Sequence, residues 1–320
     1  MPEIVILGEV LIDLFAEKGV SLRSAKALFP SPGGAPANVA VAAARLGADV
    51  GFIGKVGVDD FGEVLSDLLS GEGINTTYLA ADPRAPTMLS LVAAPSSEEQ
   101  HFIIYNGASA LLSVEELPQG YIAAANVFVY GSATLASDSL AATLQAARWA
   151  TEAGKHVIFD VNLRPALWPD LETARQRIEA AVASATIIKL NERESKFLTG
   201  TGDATQGSRE LIERGVHLCC VSLGADGAYF DNGTVSGYVP AFKVQVVDTT
   251  GSGDAFVAGL AYQLSGLTMP VKQLDEPTLQ TMVSFANACG ALAATRLGAM
   301  SALPSRDAVE QMLRNSNLLR

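Results

Sequence analysis

Cysteine and histidine are scarce in this chain, three of each among 320 residues, and their scarcity excludes several classes at once. Cys219 and Cys220 are adjacent in an apolar run and poorly placed to bridge each other, which leaves Cys289 alone. An odd count without framework spacing points to reduced thiols and a cytoplasmic protein, not to a disulfide scaffold. His101, His156 and His217 are scattered, with no Cys or carboxylate at metal-ligand spacing, so no structural zinc site is expected. No run of 18 apolar residues exists to span a bilayer, and Met1-Pro-Glu3 leads into an apolar run without a basic leader. Positive charge is short as well. Against 34 Asp and Glu stand 22 Lys and Arg, a net charge of −12, with no basic cluster of five or more. Nucleic acid and membrane surfaces are therefore not expected as partners. An acidic protein that handles anions must place its few cations locally.

What the chain does have is alternation. Apolar residues make up 49% and charged residues 18%, the balance of an ordinary globular protein, and one large domain over 1–320 is expected. Ile4-Val-Ile-Leu7 is a short apolar run ended by Gly8, as in a buried parallel strand. Residues 9–15 read as its continuation, carrying Asp13 beyond the strand end. Gly33-Gly34-Ala-Pro-Ala-Asn38 opens an Ala- and Val-rich helix that closes at Leu46-Gly47. Further strands are expected at 50–53, 127–130, 157–161, 186–190, 219–223 and up to 247, separated by helical stretches. Repeated βα units predict a mostly parallel sheet with helices on both faces, and ligands beyond the carboxyl ends of its strands. Residues 14–32 and 76–110 break the rhythm. Strands near 87–93 and 101–105, around the polar turn 95–99, predict a small β-flap over one end of the sheet.

Most phosphate and nucleophile motifs fail. Gly54-Lys55 and Gly154-Lys155 are not followed by the Ser or Thr of a Walker A loop. Gly251-Ser252-Gly253 lacks the third glycine of a dinucleotide fingerprint, and Thr250 rules out a nucleophile elbow. That turn does bring the N–H groups of Gly251, Ser252 and Gly253 to a helix start, where free donors and the macrodipole favour an anion. Asp254, one residue on, has two readings. It is a favourable charge at the helix start, worth about 0.3–1 kcal/mol, or a general base beside an anion hole.

Two longer blocks bear on that choice. Gly33 to Asn38, followed by Ile53-Gly-Lys-Val-Gly57-Val-Asp-Asp-Phe-Gly62, resembles the N-terminal signature of the PfkB/ribokinase family of small-molecule kinases. Asp248-Thr-Thr-Gly-Ser-Gly-Asp254-Ala-Phe-Val-Ala-Gly259 resembles the C-terminal one. The resemblance runs from Gly8-Glu-Val-Leu-Ile-Asp13 to Leu303-Pro304. It implies a ribokinase-like α/β three-layer sandwich with a β-lid, and ATP-dependent phosphorylation of a sugar or nucleoside hydroxyl. Asp254 is then the base and the 251–253 backbone the anion hole, with Ser252 where the family usually has Ala. Asn191-Glu-Arg-Glu194 is similar to the family's Asn-x-x-Glu motif, which organises Mg2+ and its waters; a helix cap with Glu three residues on is the other reading. Ser222, Gly224 and Gly227 fall in a turn similar to the family's nucleotide side, though a tight turn between strands needs the same glycines. Asn287 matches a position that faces adenine, or else is a helix-packing amide. Asp248, Thr250, Ala293, Arg296 and Gly298 resemble the K+ site of some members.

For the acceptor, Asp13, Gly33, Gly34 and Asn38 match positions that hold sugar hydroxyls; a buried, satisfied polar pair is the bland alternative. Asp160-Val-Asn-Leu-Arg164 resembles the fructokinase-like branch, where Arg164 approaches the acceptor or the phosphoryl in transit. Tyr105 and Ala110 stand where that branch carries Arg and Asp. Tyr105 is read as stacking on a ring, bonding a hydroxyl, or packing the hairpin. D-Fructose is the expected acceptor, with aminoimidazole riboside and 2-keto-3-deoxygluconate as alternatives, and an inert sugar-binding regulator as the different class. By family analogy the flap is also a homodimer surface.

Overall fold

Side-chain alternation along the first strand already divides the molecule into layers. Ile4 and Ile6 enter one buried core while Val5 and Leu7 enter another, because successive side chains of a strand leave opposite faces. The structure is a computed structural model and describes residues 1–93 and 101–316. Its strands are β1 (Ile4–Leu7), β2 (Leu11–Ala16), β3 (Leu28–Gly33), β4 (Val50–Gly57), β5 (Asn75–Asp82), β6 (Leu89–Ala93) and β7 (His101–Tyr105). They continue with β8 (Val127–Gly131), β9 (His156–Asp160), β10 (Ile187–Asn191), β11 (Leu218–Ser222), β12 (Ala228–Asp231) and β13 (Ser236–Val239). The large sheet has the order β13-β12-β11-β10-β9-β8-β1-β4-β5. From β5 to β11 all neighbours are parallel, and β12 and β13 add an antiparallel edge. The helices Ala35–Arg45, Ser252–Ser265 and Glu276–Ala293 cover one face. Leu140–Glu152, Leu171–Val182 and Ala204–Glu213 cover the other. This is the three-layer α/β arrangement that the βα repetition implies.

The chain runs from β1 through β4 to β5, then returns to β8 on the far side of β1. Such a reversal opens a crevice above the carboxyl ends of the strands, and ligands of parallel sheets bind there. A second sheet, ordered β3-β2-β6-β7, stands over that crevice. Residues 9–15 therefore do not extend β1. After Gly8 to Val10 the chain leaves for the second sheet, since Leu11 pairs with Gly33 and Ile12 with Leu89. The flap interval 76–110 also begins too early. Residues 75–82 form β5 and pair in parallel with β4 from Gly51 to Gly57, completing a βα unit of the main sheet.

Residues 244–247 are not a strand. They pair with no strand among the described residues: Val247 N–H donates to Ala294 O at 2.8 Å, and Val246 and Val247 lie exposed as the chain crosses to the next helix. The turn at 95–99 lies outside the described residues. All three cysteines are buried and free. Among the described residues no helix is long and apolar enough to cross a membrane.

Candidate active site

The crevice is a cavity of about 810 Å³. Its floor is the carboxyl ends of β1, β8, β9, β10 and β11, and its wall is one face of the second sheet. Strand alternation selects that face. Asp13 and Phe15 of β2, Ser90 and Val92 of β6, and Phe102 and Ile104 of β7 line the cavity. Tyr105 is one residue out of phase with Phe102 and Ile104, is 57% exposed and does not line the cavity. Its assignment to the sugar site is corrected: Ile104 occupies the neighbouring cavity position.

Asp254 sits in the first turn of the helix Ser252–Ser265 and is 8% exposed. Gly251, at φ 78°, caps that helix, and its carbonyl accepts from Ala255 at 2.8 Å. The loop before it folds back so that Ser252 N–H donates to Thr249 O at 3.2 Å. Ser252 is thus withdrawn from the expected trio of anion donors. The N–H groups of Gly251, Gly253 and Asp254 itself have no acceptor among the described residues. Beside them stands a cation that the sequence reading passed over. A Cβ at Gly253 would lie 3.0 Å from Lys189 Nζ, so glycine there keeps the ammonium next to the helix start.

Lys189 belongs to β10, is almost fully buried and donates to Asp160 Oδ1 at 3.2 Å. Burial works against its charge, but Asp160, Glu194 and Asp254 overcome that and hold the ammonium above its ordinary range. Asp254 titrates at about 6. Burial lifts it most and the charge of Asp160 adds to this, against a hydrogen bond from Asn38 and the charges of Lys189 and Arg164. The Asn38 bond is short, Nδ2 to Asp254 Oδ2 at 2.7 Å. Asn38 stands one turn into the helix Ala35–Arg45, its N–H bonded to Gly34 O at 2.8 Å. Gly34 has φ 103°, and a Cβ there would press within 2.6 Å of Glu9 O. Only glycine permits that approach.

Arg164 reaches the same cavity from the loop after β9. Asn162, at φ 32° the non-glycine residue with positive φ among those described, turns the chain there. Arg164 has no hydrogen bond or ion pair among the described residues. Its charge nevertheless lowers Glu9, Asp13 and Asp254 together. Asp13 is lifted by burial, against a hydrogen bond with Ser90 and the Arg164 charge. Gly33 lies directly beside it; the Asp13 carboxylate fills the space that a side chain at 33 would take.

On the other side of the cavity, Asn191 and Glu194 form a capping box on the helix Glu192–Thr199. Glu194 N–H donates to Asn191 Oδ1 at 3.0 Å, and Asn191 N–H donates to Glu194 Oε2 at 2.8 Å. The other oxygen, Oε1, accepts from Leu163 N–H at 2.9 Å. Both carboxylate oxygens are engaged, and no cluster of three metal-ligating side chains occurs among the described residues. Ser222 and Gly224 line the cavity. Gly227 does not: at φ 110°, with Val239 O 2.1 Å from a would-be Cβ, it serves the turn into β12. Asn287 gives its amide to Val239 O at 3.0 Å and Pro240 O at 3.3 Å and lies outside the cavity lining. Both contact the Val239 carbonyl and so have a packing role in the fold. Asp248 accepts from Thr250 N–H at 3.0 Å, Thr250 Oγ1 at 2.7 Å and Gly298 N–H at 3.0 Å. Burial opposes its charge, but these bonds hold the carboxyl below its usual range. It braces the loop between Thr250 and Gly298.

Residues 1–306 match the model of the pfkB family of carbohydrate kinases. The chain belongs to the PfkB carbohydrate kinases. It is 42% identical over 98% of its length to probable fructokinase-6, chloroplastic, of Arabidopsis thaliana, covering 82% of that protein. Among solved structures, it is similar to fructokinase with bound ATP from Xylella fastidiosa, with TM-score 0.89 and 32% identity over 99% of both chains. It is also similar to aminoimidazole riboside kinase from Salmonella enterica, complexed with aminoimidazole riboside and an ATP analogue. There the TM-score is 0.82 and identity 34%, over 97% of this chain and 99% of that one.

In this PfkB kinase three charged residues of the site were not picked out from the sequence, and each left a trace. Lys189 is a lone cation inside the apolar strand Ile187-Ile-Lys-Leu190. Asp160 ends the run Val157-Ile-Phe. Glu9 follows directly on the buried β1 and Gly8. A charge next to or within a fully buried run must be neutralised by something distant in the chain, and here all three meet around Asp254.

Proposed function

We propose that this kinase transfers the γ-phosphoryl group of ATP to the 6-hydroxyl of D-fructose, with Asp254 as general base. The observation that carries the proposal is a buried carboxylate at about 6 beside three unpaired N–H groups and a buried ammonium. In this reading the hydroxyl oxygen forms the new bond to γ-phosphorus as the bond to the ADP oxygen breaks. The hydroxyl proton passes to Asp254, and Gly251, Gly253 and Lys189 receive the charge gathering on the phosphoryl oxygens. Asp13, Gly33, Gly34 and the second N–H of Asn38 Nδ2 would clamp the sugar, and Arg164 would face the acceptor or the phosphoryl. The nucleotide would lie along Asn191, Ser222 and Gly224. The engaged oxygens of Glu194 suit Mg2+ held through waters and phosphates, the habit of that ion, rather than a protein cage. Exposed Phe29, Ile103 and Tyr105 on the second sheet support pairing with a second copy through the flap. Buried free thiols suit the cytoplasm.

A coupled ADP-release assay across fructose, ribose, 2-keto-3-deoxygluconate and aminoimidazole riboside tests the acceptor. Fructose is expected to give the highest kcat/KM. A higher value for the riboside, favoured by the likeness to its kinase, moves the assignment, and no sugar-dependent ADP from any of them refutes the kinase.

The pH dependence follows from the base. It must be ionised to take a proton, so activity is present above about 6 and lost as pH falls through that value. The acid limb of kcat/KM should bend there, well above the 3.8 of an ordinary Asp. A limb at an ordinary carboxylate position would count against Asp254.

A further inference from the structure

Glu9 lines the cavity beside the base, and the reaction above gives it no task. It is 6% exposed, follows β1 directly, and lines the cavity with Asn38 and Asp254. Its carboxyl feels the backbone N–H of Ala35, the first residue of the helix that carries Asn38, which favours its charged form. Its Oε2 is buried and has no partner. Asn38, which lines the same cavity, shows the same defect: Nδ2 is committed to Asp254, while Oδ1 is buried and without a partner among the described residues.

Two buried acceptors without donors, on residues that line the same cavity, are a mismatch, because such groups are nearly always hydrogen-bonded. Neither atom exposes surface to the cavity, so a sugar hydroxyl does not reach either one as the chain stands. A single proton resolves both. We propose that Glu9 is a positioning residue, in its protonated form donating from Oε2 to Asn38 Oδ1 and so fixing the amide whose Nδ2 holds the Asp254 carboxylate. No bond is made or broken in this role. The amide keeps its oxygen toward Glu9 and its nitrogen toward the base, and cannot flip to present oxygen to oxygen.

The electrostatics agree. The charged groups facing Glu9 are Asp254, from the helix Ser252–Ser265, and Arg164, from the loop after β9. Burial and the Asp254 charge lift Glu9 to about 7, against its bonds with backbone N–H groups and the Arg164 charge. Asp254, facing Asp160, Lys189, Arg164 and Asn38, ionises first at about 6. Around neutral pH the two acids therefore share one proton, and it resides on Glu9. As pH rises through about 7 the donor is lost, and two acceptors face each other.

The inference rests on Asp254 being the base, and its test separates the two ideas. Glu9→Gln retains a donor that does not ionise, whereas Glu9→Ala has none. Glu9→Gln should keep kcat within about threefold of the parent at pH 6.5 and lose the alkaline decline of kcat/KM, while Glu9→Ala should fall roughly tenfold or more at every pH. Independently of turnover, in Asp254→Asn, where the base no longer titrates against the Asn38 amide, the Asn38 side-chain resonance should shift with pH, and it should stay fixed once Glu9→Gln is added to that variant. An alkaline limb unchanged in Glu9→Gln, or an Asn38 resonance that ignores pH in Asp254→Asn, overturns the role of Glu9. Turnover surviving in Asp254→Asn would instead remove the base while leaving the amide titration to judge Glu9.

Discussion

Replacement of Asp254 by Asn should lower kcat by roughly 10²- to 10⁴-fold, the usual contribution of a positioned general base, while sugar binding survives. An amide at 254 still offers an oxygen to Asn38 Nδ2, now 2.7 Å from the carboxylate, so the clamp on the acceptor keeps its geometry. ADP release and calorimetric sugar titration of the same preparation measure the two effects separately. Near-normal turnover would exclude Asp254 as the base; loss of binding with turnover would mean that the pocket had collapsed.

Stability supplies a second reading of the same variant. In the folded protein this carboxyl binds its proton up to about 6, compared with 3.8 for an ordinary Asp. An acid with a raised value favours the folded state below its unfolded titration, and that advantage is lost as pH rises through the folded value. Above about 6 the ionised side chain therefore burdens the fold, by an amount on the order of 2–3 kcal/mol. Asp254→Asn should melt higher than the parent at pH 7.5, the pattern of an active site that gives up stability for chemistry. A lower melting temperature there would mean that Lys189 and Arg164 repay the carboxylate in full.

The second large effect is expected at Lys189. Removing one member of a buried ion pair leaves the other charge uncompensated, at a cost of about 3–5 kcal/mol. Lys189→Met should therefore unfold at markedly lower denaturant or temperature. Asp160, Glu194 and Asp254 would then lie together without the ammonium that all three now face. Proton binding by the base would tighten, moving the acid limb of kcat/KM upward, and the anion site beside Gly253 would lose its cation. Adding Asp160→Asn should restore much of the stability, since the stranded charge is gone, but little of the turnover. Full recovery of activity in the double variant would confine Lys189 to a structural role; a single variant as stable as the parent would contradict the buried pair.

How much of this could be read beforehand differs from one part of the chain to another. The large sheet was legible because each parallel strand is a short apolar run punctuated by glycine or a polar turn, and such runs have one favourable fate, burial on both faces. The strand expected to end at 247 failed for the complementary reason: alternation alone does not supply a neighbour, and Val246 and Val247 are left in solvent. Gly251 to Asp254 was legible because a glycine turn ahead of a helix is a local construction. Yet Ser252 N–H bonds back to Thr249 O, a matter of loop closure that residue types do not reveal.

Tyr105 shows the limit of correspondence by position. It stands at the expected place along the chain, but strand phase sends Ile104 into the cavity and Tyr105 out of it. Along the chain Asn287 and Gly227 each suit a nucleotide-side or a packing role, and only the fold brings both to the Val239 carbonyl.

Residue order by itself determined the alternating α/β layers, the family, and the two signature turns, because each is written in contiguous residues whose preferences are local. The tertiary structure alone decided which charges meet. Asn38, Asp160, Lys189 and Asp254 come from four separate elements and Glu9 from the loop after β1, and proton affinity in a buried cluster depends on distances through a medium of low polarity, which no spacing along the chain encodes.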